Sequence, residues 1–66
     1  MSLAQIRDEF RVPARLGARV TVKRTDWTGT ITGSWGDLVT VHLDGKDFPT
    51  HIHPRDLTYH PTHDTP

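Results

Sequence analysis

From residue 18 onward, hydrophobic side chains in this chain alternate with polar ones instead of recurring every three or four positions. Residues 18–23 set Val20 and Val22 against Arg19, Thr21 and Lys23, and residues 38–43 set Val39, Val41 and Leu43 against Thr40 and His42. Residues 29–34 carry Ile31 between Thr30 and Thr32, and residues 48–53 and 57–59 contribute Ile52, Leu57 and Tyr59. Successive side chains on a strand point to opposite faces, so short β-branched runs of period two, bounded by turn residues, predict strands with one buried face. Asp44-Gly45 and Trp35-Gly36-Asp37 read as tight turns, because glycine supplies the positive φ such turns need. Pro54-Arg55-Asp56 suits a 3₁₀ step before the last strand, and Gly29 and Gly33 inside a strand mark a bulge or sharp bend. Five short, bent strands make the chain all-β and are expected to curl into a small barrel that hides its edges.

The N-terminal segment follows a different period. Ser2 followed by Gln5 fits a capping box, and Leu3, Ile6 and Phe10 recur at helical spacing. A short helix is predicted over residues 2–11, ending at Val12 because Pro13 disfavours helical geometry in the residue before it. So short a helix is marginal alone. Its Leu3/Ile6/Phe10 stripe must cover the barrel, a second copy of the chain or a partner, which makes these residues candidates for self-association. The expected organisation is a helical extension over 1–14, a barrel over 15–60 and a disordered tail over 61–66, the last rich in Pro, Thr and His.

At 66 residues there is room for one domain with a modest core. With no cysteine, neither a disulfide nor a Cys-ligated zinc can brace it, which suits a reducing cytoplasm, the expected location. Residues 1–10 carry Arg7, Asp8 and Glu9 and no apolar run, so neither a signal peptide nor a membrane span is expected. The formal charge is zero but divided. Residues 7–24 hold six basic side chains against two acidic ones, a net +4; residues 25–66 hold two against six, a net −4. A polyanion could therefore use one flank of the molecule, not its whole surface.

Two resemblances bear on family. Gly17-Ala18-Arg19-Val20-Thr21-Val22-Lys23 followed by Gly29-Thr30-Ile31 resembles the opening of a KOW-type motif, whose members form SH3-like barrels that touch RNA or ribosomal proteins. Between those segments the chain has Arg24-Thr25-Asp26-Trp27-Thr28 in place of a glycine-rich basic turn. Over a longer stretch, Val12-Pro13-Ala14, Gly17, Arg19-Val20, Gly29-Thr30-Ile31-Thr32-Gly33, Leu43-Asp44-Gly45 and His53-Pro54 resemble small uncharacterised proteins encoded by bacteriophages and prophages. Together they imply a five-stranded SH3-like barrel of phage type, located in the host-cell cytoplasm, and imply no activity.

The residues themselves point to binding. Trp27 and Trp35 both sit in predicted loops, where an indole offers a large apolar face and one donor to a partner, or else folds over an open end of the barrel. Trp27, beside Lys23 and Arg24 and on the flank that carries Arg19, is the stronger anchor. A strand separates the two indoles, so one site using both is not expected. His51 and His53 share a face of a predicted strand and His42 lies on the outward face of its neighbour, a possible three-imidazole metal set; no carboxylate is clearly placed as a fourth ligand, so no metal or other cofactor is expected. Catalysis lacks its parts: there is no cysteine, Thr32 stands where a nucleophile elbow around Ser34 needs glycine, and no phosphate-cradling glycine loop is present. The expected function is that of a non-enzymatic module engaging a protein partner through the Trp27 loop, the Arg19/Lys23/Arg24 flank and Trp35. The alternatives are nucleic-acid binding through the same flank and self-association as a homo-oligomer.

Overall fold

The computed structural model describes residues 2–60. A helix α1 (Leu3–Phe10) precedes strands β1 (Arg19–Val22), β2 (Thr28–Trp35), β3 (Leu38–Leu43) and β4 (Thr50–Ile52), a 3₁₀ turn (Pro54–Asp56) and strand β5 (Leu57–His60). All five strands lie in one antiparallel sheet of order β4-β3-β2-β1-β5. The first four strands form a meander, and β5 returns to pair with β1 along Arg19↔His60 to Val22↔Leu57. No pairing joins β4 to β5, so the sheet is not closed and two edges remain where full closure was expected.

The alternation read from the sequence is the alternation of burial. Val20, Val22, Ile31, Val39, Val41, Leu43 and Leu57 are buried, with Ile52 and Tyr59 packed against them. Pairing between β2 and β3 shifts between Ile31↔Val41 and Gly33↔Thr40, leaving Thr32 as the extra residue of a bulge. Gly29 serves another purpose. A Cβ there would stand 2.7 Å from both the His42 carbonyl oxygen and Val41 Cγ1, so only glycine lets β3 come this close. Gly36, at φ 60°, is the first central residue of the two-residue turn closed by Trp35↔Leu38, the place where a hairpin turn of this hand takes glycine.

One strand is shorter than its pattern. The run over 48–53 was expected to be extended throughout, yet β4 begins at Thr50. Pro49 has no N–H to give the ladder, and the connection over 44–49 leaves Phe48 exposed to solvent.

Helix α1 is capped as its sequence specifies: the Gln5 N–H donates to Ser2 Oγ at 3.2 Å and the Ser2 N–H to Gln5 Oε1 at 2.8 Å. It stops at Arg11, which turns left-handed (φ 53°, ψ 50°) ahead of Val12-Pro13. Arg7 Nη1 donates to the Ala14 carbonyl at 3.0 Å and ties the helix to the segment that follows. The stripe is taken up inside the chain. Ile6 is wholly buried in the same core as Val20 and Val39, with Leu3 and Phe10 packed on its margin. The helix and the sheet thus share one core, which leaves Ile6 no face for a second copy. The tail expected over 61–66 lies outside the described residues.

Candidate functional site

The connection between β1 and β2 is a tight loop fixed at its base by Val22. The Val22 N–H donates to the Trp27 carbonyl at 2.7 Å, and the Val22 carbonyl accepts from Asp26 at 2.8 Å and from Thr25 at 3.3 Å. Asp26 sits at φ 61°, a left-handed position that Asp tolerates better than most residues. The Trp27 N–H donates to Thr25 Oγ1 at 3.3 Å, completing a small closed turn. The result is an indole held at the surface, 49 % exposed, on a backbone with few ways to move.

Trp27 stands between two depressions. On one side is a groove of about 300 Å³ floored by Val22, Leu43 and Ile52 and bordered by Arg24, His51 and Asp56. On the other is a more polar hollow of about 380 Å³ with Asp26, Thr28, Asp44 and Lys46 on its walls. Lys46 places its Nζ 4.3 Å from the centre of the Trp27 ring, a cation–π contact. The loop anchor expected from sequence is thus surface-exposed, and its cationic neighbours include Lys46, 19 residues along the chain, as well as Arg24.

Arg19 is engaged within the chain. Its guanidinium grips Asp44 with two bonds, Nη1 to Oδ1 at 3.0 Å and Nη2 to Oδ2 at 2.6 Å, and also donates to Thr30 Oγ1 at 2.9 Å. Thr28 donates to Asp44 Oδ2 at 2.7 Å. The hydrogen bonds from Arg19 and then Thr28 lower the Asp44 pKa to about 2, and the bond to Asp44 raises that of Arg19. This is the only ion pair among the described residues, and it fastens β1 and β2 to the start of the connection after β3. Arg19 therefore braces the floor behind the Trp27 loop, while Lys23 and Arg24 remain exposed, with no carboxylate in ion-pair reach among the described residues.

The three histidines weighed as a metal set, His42, His51 and His53, each take a separate partner. His42 Nε2 lies 2.9 Å from the Lys46 carbonyl oxygen. His51 Nδ1 lies 3.0 Å from Thr40 Oγ1, and its ring stacks on Trp35 at 5.2 Å and 22°. His53 Nδ1 accepts from the Arg55 N–H at 3.1 Å, capping the 3₁₀ turn, while its ring meets the edge of Phe10 at 5.2 Å. Among the described residues no three His, Cys, Asp or Glu side chains gather where they could hold a metal ion.

Trp35 ends β2 and is 63 % exposed. Its partner His51 also borders the Trp27 groove, so that imidazole touches both the groove and the second indole. The link depends on the Thr40↔His51 register of β3 and β4 and on the bulge in β2. Behind the groove, Tyr59 donates to the Pro54 carbonyl at 2.8 Å and holds the 3₁₀ turn against β5; burial pushes its phenol up to about 12. No helix among the described residues is long and apolar enough to cross a membrane. Comparison of the chain with family models, with curated proteins and with solved structures finds no match.

Proposed function

We propose that this chain is a small SH3-like binding module that engages a protein partner through the Trp27 groove and carries out no catalysis. The observation that carries the reading is a half-exposed tryptophan, fixed on a closed loop, at the mouth of an apolar groove of about 300 Å³. Rigid aromatic anchors beside desolvated pockets are where binding energy concentrates. The SH3-like assignment is supported by a four-strand meander whose fifth strand returns through a 3₁₀ turn to pair with the first. The resemblance to phage and prophage proteins and the lack of cysteine support an accessory role in a host-cell cytoplasm.

The test is capture from a host lysate, with and without nuclease treatment, by the wild-type chain and by Trp27→Ala, with the fold of each verified by its NMR spectrum. A protein retained by the wild type and released by the variant supports the reading. Proteins held equally by both overturn it, and retention that disappears with nuclease transfers the surface to nucleic acid.

A further inference from the structure

Resting on that reading, we propose the chemistry and mode of the partner: an extended, acidic segment that adds a strand to the open edge of β4 and sets one bulky apolar side chain into the Trp27 groove. The first observation concerns where the groove runs. Thr50, His51, Ile52 and His53 border it in unbroken succession. Residues that alternate between the two faces of a strand can all border one cavity only if it lies along the strand's edge. The pairing agrees. Thr50 and Ile52 lie opposite the buried Val41 and Val39, whereas His51 lies opposite Thr40 on the outer face.

The second observation is the state of that edge. β4 is bonded to β3 on one side and is terminal in the sheet on the other. In an antiparallel pair, residues direct their N–H and C=O alternately toward and away from the partner strand, so at least one residue of a three-residue strand turns both groups outward. Among the described residues, none of the backbone bonds outside the ladders and helices engages Thr50, His51 or Ile52. An extended peptide satisfies these groups directly and takes its specificity from pockets for alternate side chains. One such pocket is present, floored by Val22, Leu43 and Ile52 with the Trp27 ring as its wall.

The third observation is charge. Arg24 borders the groove and Lys46 covers the ring from the far side, and neither has a carboxylate in ion-pair reach among the described residues. Among the described residues Asp56 is the only carboxylate bordering the groove; Asp26 lies in the hollow beyond Trp27, where Asp44 is already neutralised by Arg19. A strand entering between β4 and the β1–β2 loop therefore meets a guanidinium on the wall opposite β4, and an Asp or Glu beside its apolar anchor completes the pair.

The experiment is selection of displayed random octapeptides on the full chain, with counter-selection on folded Trp27→Ala. The best peptide is then resynthesised, N-methylated one amide at a time and titrated into labelled protein. The expected peptides share a large apolar residue flanked by Asp or Glu, and they shift the amide signals of Thr50, His51 and Ile52. N-methylation at alternate positions should weaken binding by about fivefold or more, at intervening positions hardly at all, and Arg24→Ala should cost a similar factor. Trp27-dependent peptides with basic or no charge preference, or with no alternation on N-methylation, overturn this inference and leave the binding-module reading standing. If no peptide distinguishes the wild type from Trp27→Ala, both fall. A thymidine decamer that binds at Arg24 and Trp27 in place of any peptide overturns the inference in favour of nucleic acid.

Discussion

Replacing Ile6 with alanine tests whether the helix is part of the domain or an appendage to it. The side chain is fully buried against the sheet. Truncation removes about three carbon atoms, at ~0.8 kcal/mol each for lost burial. The cavity left behind adds to this, which brings the expected loss to about 3–4 kcal/mol. A single core in a chain of this size rarely supplies more than about 3–5 kcal/mol in total. Ile6→Ala should therefore sit close to its unfolding midpoint in plain buffer at room temperature. The milder Ile6→Val should cost about 1 kcal/mol and lower Tm by about 4–8 °C. Urea titration followed by the fluorescence of Trp27 and Trp35 reads both variants, with a substitution at the exposed Ala4 as the control. If Ile6→Ala stays within about 0.5 kcal/mol of the wild type, as surface substitutions do, α1 is not packed on the sheet and the shared core is wrong.

Gly29→Ala should destabilise the domain by about 1–3 kcal/mol in the same titration, because its Cβ cannot fit 2.7 Å from the β3 backbone without parting the strands. Asp44, lowered from 3.8 to about 2 in the folded chain, contributes stability that is complete above the unfolded value and lost as pH falls through the folded one. The urea midpoint of the wild type should thus drop between those two values, and Asp44→Asn should show a lower but flatter acid limb. Tyr59→Phe should cost about 1 kcal/mol for the lost bond to Pro54. Because the folded phenol is raised from 10.0 to about 12, its contribution is complete below the lower value and fades as pH rises through the upper one. The variant's alkaline profile should lack that fall.

The strands were legible wherever burial is one-sided. Val39, Val41 and Leu43 face the core and Thr40 and His42 face out, and that contrast is written into β3 itself. The capping box at Ser2 and Gln5 and the 3₁₀ step at Pro54 were legible for a similar reason, since each is local and made by residues within three or four positions. The start of β4 was not, because Phe48 continues the apolar pattern while Pro49 interrupts the ladder. The site was legible in part. Trp27 could be found from its setting among turn residues, but the groove beside it depends on Val22, Leu43 and Ile52 converging from three strands. The partners of Arg19 and Trp35 lie 25 and 16 positions away and are set by strand register, which no local pattern encodes. The histidines illustrate the same limit. A shared face permitted a cluster, yet each imidazole found a nearer partner: a carbonyl, a hydroxyl or a backbone N–H.

The most direct test of the central claim is calorimetric titration of the captured partner into the wild-type chain and into folded Trp27→Ala. Loss of a hot-spot indole should weaken binding by about 2 kcal/mol or more, roughly thirtyfold. Equal affinity for the two proteins would place recognition elsewhere on the molecule and contradict the account.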